Sequence, residues 1–268
     1  METTIDGKNI RYKVTGDGER TAVILQGWGT DMKLYDSIAE DICDEYRVVQ
    51  FNLPGFSDSD EPSEPWGIDE FTVWFIHFMQ FLEVKKVTLI GHSFGGRIMI
   101  WLSSLSKEEV PFEIERLVLI DAAGIQREKT PKQKSSIRRY HFRRALYHFP
   151  PFYYFFKDAV DIWQGQQGSA DYRNSSPMMK QCMVRAVNND LTYRLPDIPY
   201  ETCLIWGDLD TATPVVDGQD MERLIPNATL HVLTGTDHFS FLRKPQEFRT
   251  IIRQFLGCNN YKGERKVQ

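Results

Sequence analysis

The chain has 268 residues, of which 41% are hydrophobic and 26% are charged, so its composition is that of an ordinary globular protein rather than of a disordered or fibrous one. Its 32 Lys and Arg against 37 Asp and Glu give a net charge of -5, which argues against a nucleic-acid-binding surface over the whole molecule. No apolar run is long enough to span a bilayer, and the amino terminus lacks a secretory signal pattern, so we expect a cytoplasmic protein without an integral membrane segment.

The first part of the chain predicts strands that alternate with helices. Residues 3 to 15 predict a hairpin, because "DGKN" is a turn sequence between short alternating strands. Continuous apolar runs, typical of strands covered on both faces, follow at 21 to 26, 46 to 52, 85 to 92 and 114 to 123. Helical spacing of apolar residues predicts helices over 31 to 45, 68 to 84 and 93 to 106.

The same alternation returns near the carboxyl end of the sequence. It predicts strands at 200 to 207 and 228 to 233, with helices at 214 to 225 and 243 to 256. Strands that alternate with helices indicate an α/β fold, with a mostly parallel central sheet and helices on both of its faces. In such a sheet we expect the functional site at the carboxyl ends of the strands.

One stretch, from Gly124 to Pro196, interrupts this pattern. It contains aromatic, basic and helix-like segments but no buried-strand run, and it is too long for a connecting loop. We therefore predict a helical cap inserted at 124–196 into a core domain of 1–123 and 197–258. The charged residues 259–268 predict a frayed tail.

The segment "GHSFGG", residues 91 to 96, places a serine between a predicted strand and a predicted helix. Strand and helix approach closely at such a turn, and Gly91 and Gly95 provide the small neighbours that it needs. This turn exposes the Ser93 hydroxyl and points the positive end of the following helix at a carbonyl oxygen under attack. The segment therefore predicts a serine nucleophile.

A serine nucleophile needs a base, and the base needs a carboxylate that orients it. Asp208 and Asp210 follow one predicted strand in "WGDLDTATP", and His238 follows the next in "GTDHFSFL". Of the six histidines, only His238 falls in a loop at the carboxyl edge of the predicted sheet. The sequence thus provides a base and an acid at suitable places.

Five segments together resemble the α/β-hydrolase superfamily, of the serine hydrolase type with a helical cap: "LQGWG", "FNLPGFSDSD", "GHSFGG", "WGDLDTATP" and "GTDHFSFL". The resemblance covers nearly everything outside the insertion. It implies a triad in which Ser93 is the nucleophile, His238 the general base and then acid, and Asp210 the orienting carboxylate. Asp121 is a second candidate for the acid, because some members take it from the strand before.

The resemblance also implies an oxyanion hole that consists of the backbone N–H groups of Trp28 and Phe94. Family members commonly carry His where this chain has Gln26. Because the donors are backbone amides, we expect the hole to persist while other side-chain bonds shape the loop. We expect the side chains of Gln26, Trp28, Phe94 and Phe239 to border the substrate pocket.

The chemistry expected from these residues is acyl transfer to water. Epoxide hydrolases and haloalkane dehalogenases of the fold use an aspartate in place of Ser93, and "QGWGT" lacks the proline of the related iminopeptidases. We expect a serine hydrolase that cleaves an ester, thioester or related acyl bond of a small to medium apolar substrate through an acyl-enzyme. A carbon–carbon bond hydrolase or a peptidase stays open, as does a ligand receptor or signalling protein of this fold with slow turnover.

Nothing in the sequence calls for a cofactor or a metal, and the expected partner is a small-molecule substrate; whether the protein forms a homo-oligomer is left open. Residues 127–156 mix basic and aromatic side chains. We favour a helix with a solvated basic face and an aromatic face on the core. Two alternatives are an aromatic acyl pocket with an arginine for an anionic substrate, and a face that docks on an anionic membrane or a partner.

Overall fold

The computed structural model describes residues 1 to 127 and 170 to 258, together with positions 135, 138, 139, 142 and 143. Within these residues, eight strands form one sheet in the order β1-β2-β4-β3-β5-β6-β7-β8. The strands are β1 (Glu2–Ile5), β2 (Lys8–Thr15), β3 (Arg20–Leu25), β4 (Tyr46–Phe51), β5 (Lys86–His92), β6 (Glu113–Ile120), β7 (Glu201–Gly207) and β8 (Ala228–Leu233). The pairs β1–β2 and β2–β4 are antiparallel and the other five are parallel, which confirms the mostly parallel sheet.

Helices occupy both faces of this sheet. The α-helices of the described residues are α1 (Asp36–Ile42), α2 (Ile68–Phe81), α3 (Phe94–Ser103), α4 (Ala170–Asn174), α5 (Pro177–Val187), α6 (Val215–Leu224), α7 (Ser240–Arg243) and α8 (Pro245–Leu256). Two 3₁₀ helices lie at Met32–Tyr35 and Thr192–Asp197. None of the helices in these described ranges is both long and apolar enough to cross a membrane.

The central strands are buried on both faces, and their alternation separates the core into two layers. In β3, Val23 and Leu25 pack in one hydrophobic cluster, whereas Ala22 and Ile24 pack in the other. Successive strand residues point to opposite faces, so one apolar run supplies both layers. The first cluster is covered by α2, α3 and α6, and the second by α1 and α8. This arrangement leaves the carboxyl ends of the strands free for the loops of the site.

Two predicted helices are divided in the structure. The helix expected over 31 to 45 is a 3₁₀ turn, which the Asp31 side chain caps, followed by α1. The helix expected over 243 to 256 is two helices, α7 and α8, because Pro245 occupies the first position of α8. Lys244, the residue before Pro245, has φ -129° and ψ 65°. These angles lie outside the α-helical region, which is disfavoured for a residue that precedes proline.

The described part of the predicted cap 124–196 contains α4, α5 and the second 3₁₀ helix. Arg97 of α3 holds the end of α5, since its guanidinium donates to the carbonyl oxygens of Ala186 (2.8 Å) and Val187 (3.2 Å). Most of the basic and aromatic segment 127–156 lies outside the described residues. The cap, its pocket and the role of that segment therefore stay predictions, and residues 259–268 also lie outside.

Candidate active site

Ser93 lies at a tight turn between β5 and α3. Its backbone has φ 51° and ψ -110°, values that residues other than glycine seldom adopt. Two backbone hydrogen bonds fix the turn. The Ser93 N–H donates to the Ile120 carbonyl oxygen (3.0 Å), and the Ala123 N–H donates to the Ser93 carbonyl oxygen (3.0 Å). A Cβ atom at Gly95 would collide with the carbonyl oxygen of Leu25 in β3. The glycine thus lets this turn, which we call the elbow, lie directly against the neighbouring strand β3.

The structure brings Ser93, His238 and Asp210 together in one line. The Nε2 atom of His238 lies 2.9 Å from the Ser93 Oγ, and its Nδ1 atom lies 2.7 Å from Oδ2 of Asp210. The three residues follow β5, β7 and β8, whose carboxyl ends meet at one edge of the sheet. With a proton on Nδ1, the imidazole donates to Asp210 and accepts from the serine hydroxyl.

Asp210 is held as a carboxylate by donors from its own loop. Its Oδ1 accepts from the N–H groups of Ala212 (2.7 Å) and Thr213 (3.0 Å), and the Thr213 hydroxyl lies 2.7 Å from Oδ2. Burial raises the pKa of this carboxyl, but hydrogen bonds from His238 and Thr213 outweigh burial and leave the pKa below its ordinary value. Asp210 is therefore ionised at neutral pH.

Asp121, the second candidate for the acid, binds other groups. Its Oδ1 accepts from the Gly207 N–H (2.8 Å), and its Oδ2 accepts from the hydroxyl (2.7 Å) and N–H (3.2 Å) of Ser240. It therefore joins the end of β7 to the residue that begins α7. Burial raises its pKa to about 6, although these hydrogen bonds act in the opposite direction. Asp208 likewise braces a turn, by accepting from the Gly235 N–H (2.6 Å).

The loop after β3 carries Trp28, and Phe94 follows Ser93 beyond the carboxyl end of the neighbouring parallel strand β5. Among the described residues, neither the Trp28 N–H nor the Phe94 N–H has a hydrogen-bond acceptor. The buried Gln26 shapes this loop: its Nε2 donates to the Thr30 carbonyl oxygen, and its Oε1 accepts from the Leu53 N–H (3.3 Å). The N–H groups of Trp28 and Phe94 could thus bind an oxyanion, since the Gln26 side chain forms its hydrogen bonds with Thr30 and Leu53 instead.

The side chains expected around the pocket have different surroundings. Trp28 lines a cavity of about 280 Å³ beside Phe56 and Met179, with Ser57 and Glu61 at its polar side. Phe94 packs edge-on against Trp28, with ring centroids 4.8 Å apart. The ring centroids of Phe239 and His92 lie 5.3 Å apart. The side-chain amide of Gln26 makes the hydrogen bonds to backbone groups just described. Of the four side chains predicted to border the substrate pocket, Trp28 lines this cavity; because the described lining includes neither Ser93 nor His238, the pocket residues stay a prediction.

Sequence reasoning missed several residues that hold the site in place. Thr213 contacts Asp210 and lies 3.2 Å from Nδ1 of His238, and Tyr35 and His92 link the Trp28 loop to the His238 loop. A local signal for Thr213 existed, since the N–H two or three residues after an aspartate often bonds its carboxylate. Tyr35 had no such signal, because its partner His92 is 57 positions away.

Comparison with known proteins gives a consistent result. A family model described as "alpha/beta hydrolase fold" matches residues 22–245. A 3-oxoadipate enol-lactonase of Acinetobacter baylyi is 25% identical over 268 residues, with 92% of each chain covered. The solved enol-lactonase of Burkholderia xenovorans (TM-score 0.72, 20% identity, 96% of this chain and all of that one) has the same fold. So does an esterase of Thermogutta terrifontis (TM-score 0.70, 19% identity, 96% and 98%).

Proposed function

Because the chain belongs to the alpha/beta hydrolase fold family and is a hydrolase, we propose that it is a serine hydrolase that cleaves carboxylic esters or lactones through an acyl-enzyme on Ser93. The observation that carries this proposal is the hydrogen-bonded line from Ser93 Oγ through His238 (2.9 Å) to Asp210 (2.7 Å). A hydroxyl in hydrogen-bond contact with an imidazole, which a carboxylate orients in turn, is the arrangement that activates a serine.

In the proposed reaction, His238 Nε2 takes the hydroxyl proton as Ser93 Oγ attacks the substrate carbonyl carbon. The carbonyl oxygen becomes an oxyanion, which the Trp28 and Phe94 N–H groups stabilise, a contribution of about 3 kcal/mol per donor in comparable sites. His238 then gives its proton to the leaving oxygen, and the acyl group stays on Ser93. A water molecule, deprotonated by His238, attacks the acyl-enzyme and releases the acid.

The substrate class follows from the relatives. Relatives named as an enol-lactonase and an esterase both point to ester-type bonds. The cavity of about 280 Å³ beside Trp28 has a mainly polar lining, and its described lining includes neither Ser93 nor His238, so it does not identify the acyl pocket. The relatives therefore favour an ester or lactone substrate.

A fluorophosphonate probe together with p-nitrophenyl esters of increasing acyl length tests the proposal. We expect the wild type to be labelled and to hydrolyse short esters. The variants Ser93→Ala and His238→Ala should lose about a thousandfold or more in kcat while they keep their unfolding transition, and Ser93→Ala should not be labelled. A wild type that is labelled without turnover would instead favour a ligand-binding role.

The two candidate acids form a matched pair in the same assay. Asp210→Asn should lower kcat heavily, because an amide at Nδ1 of His238 favours the wrong tautomer. Asp121→Asn should have a smaller effect, since Asp121 contacts Gly207 and Ser240. If Asp121→Asn proved the more damaging change, the carboxylate would be misassigned.

A further inference from the structure

His92, the residue before the nucleophile, bridges the two loops on either side of Ser93. Its ring is fully buried, with Nδ1 3.0 Å from the Tyr35 hydroxyl and Nε2 2.8 Å from the carbonyl oxygen of His238. The Tyr35 hydroxyl in turn accepts from the Gly27 N–H (2.7 Å), next to Trp28. A continuous chain of hydrogen bonds therefore joins the loop of the proposed oxyanion donor to the backbone of the proposed base.

The chemistry of these groups fixes the direction of each bond. A carbonyl oxygen can only accept, so Nε2 of His92 carries a proton and is the donor to the backbone of His238. Burial lowers the pKa of His92 to about 3, hence the ring is neutral and Nδ1 is an acceptor. The Tyr35 hydroxyl is then the donor to Nδ1, and burial raises the pKa of that hydroxyl to about 12, so it keeps its proton.

The geometry around Gly27 shows how closely this chain of bonds is fitted. A Cβ atom at Gly27 would lie 2.7 Å from Nδ1 of His92 and 3.3 Å from the Tyr35 hydroxyl oxygen. Thr30 adds a brace, because its hydroxyl donates to the Gly27 carbonyl oxygen (2.9 Å). The loop therefore keeps its contact with His92 only with glycine at this position.

We propose that Tyr35 and His92 are positioning residues that fix the distance between the Trp28 amide and the imidazole of His238. The inference rests on the proposed function, because it assigns a purpose to a distance within that site. Neither residue touches the substrate; they act through the backbone of Gly27 and of His238. Loss of the chain of bonds should loosen transition-state contacts more than substrate binding, so kcat should fall while KM changes little.

Kinetics of matched variants test this. Tyr35→Phe and His92→Phe should each lower kcat about 10-fold to 100-fold, as expected for a lost buried hydrogen bond, with KM within about threefold of wild type. His92→Gln should restore part of kcat, because its Nε2 can still donate to the His238 carbonyl. The double variant Tyr35→Phe/His92→Phe should be little worse than the poorer single one, since both changes break one chain of bonds.

Tyr46→Phe is the control, because Tyr46 is a buried tyrosine of the same core cluster outside this chain of bonds. It should keep wild-type kcat. If kcat were unchanged in His92→Phe, or fell equally in Tyr46→Phe, the inference would be overturned.

A second measurement does not depend on activity. Nitrogen NMR of the His92 ring should show the proton on Nε2, and Tyr35→Phe should shift the Nδ1 resonance. A proton on Nδ1 would refute the inference even in an active enzyme. A wild type without turnover or labelling, but with Nε2 protonated, would instead refute the proposed function alone.

Discussion

Asp121 and Asp210 carry the same carboxyl group in surroundings that change its pKa in opposite directions. Both are buried, which raises the pKa, but Asp210 also contacts His238 and Thr213, and its pKa is lowered. Asp121 accepts from donors on Gly207 and Ser240, and its pKa is raised to about 6. Besides burial, the His238 imidazole beside Asp210 and the Asp210 charge near Asp121 make Asp210 the more fully ionised of the two near neutral pH.

This difference predicts how stability depends on pH. Because the folded protein holds the Asp121 proton more tightly than the unfolded chain does, this group contributes most to the free energy of unfolding below pH 3.8, and the contribution is lost as the pH rises through about 6. Asp121→Asn lacks that dependence. Between about pH 4 and about pH 7, the free energy of unfolding of Asp121→Asn should therefore rise relative to that of the wild type by on the order of 3 kcal/mol, as measured by urea unfolding.

Ser240→Ala is a matched variant for this measurement. It removes the hydroxyl that donates to Asp121, so the pKa of Asp121 should rise further and stability should fall more steeply with pH than in the wild type. If the free energy of unfolding changed with pH in the same way in the wild type and in Asp121→Asn, Asp121 would ionise in the folded protein as it does in the unfolded chain.

The sequence was most informative for residues with a local motif. Ser93 lies between glycines after an apolar run, and Asp210 and His238 follow predicted strands, so sequence patterns alone indicate that the three share one edge of the sheet. The choice between Asp210 and Asp121 could not be made this way, because each follows a strand that ends at the same edge. Their hydrogen-bond partners distinguish the two: His238 and Thr213 for Asp210, and Gly207 and Ser240 for Asp121.

At the scale of elements, β5, the elbow and α3 form one unit that depends on small residues. The strands and helices could be predicted because apolar periodicity is continuous in them, whereas the division at Pro245 and the 3₁₀ turn before α1 depend on local backbone geometry. The periodicity of apolar residues also does not show how closely a helix approaches a strand. Only the structure shows that α3 begins against the backbone of Leu25.

Gly95→Ala tests that approach. The added Cβ would meet the Leu25 carbonyl oxygen, which cannot move without displacing β3, so the free energy of unfolding should fall by about 3 kcal/mol or more. Urea unfolding followed by tryptophan fluorescence measures this loss.

Gly257→Ala provides the comparison. Gly257 ends α8 at φ 64°, and nothing in the described part of the chain lies within 4 Å of its Cβ position, so the cost should be the backbone strain alone, about 1 kcal/mol. Equal losses at the two positions would show that β3 yields to the added methyl group and that the elbow is not tightly fitted.

For the molecule as a whole, alternating strands and helices predicted the mostly parallel sheet. They did not predict that β3 lies between β4 and β5, because strand order depends on contacts between distant segments. The hydrophobic cluster on the α2 and α3 side of the sheet also includes residues of the predicted cap, such as Met179 and Leu191. The core thus extends into the described end of the insertion.

This extension predicts that Leu191 of the insertion contributes to the stability of the core. Leu191 is fully buried in the cluster on the α2 and α3 side of the sheet, so Leu191→Ala should lower the free energy of unfolding by about 3 kcal/mol. Urea unfolding measures the loss.

Tyr193→Ala is the control, because the Tyr193 side chain is largely exposed in the same part of the insertion. If Leu191→Ala cost no more than Tyr193→Ala, the described end of the insertion would not share in the core.

The order of the site residues along the chain has a consequence for biosynthesis. Ser93 emerges from the ribosome well before Asp210, and His238 emerges last of the three, after β8 at the edge of the described sheet. A nascent polypeptide therefore carries the elbow for much of its translation without the imidazole that would activate it. Under the proposed function, hydrolytic activity would therefore be withheld until His238 has been synthesised.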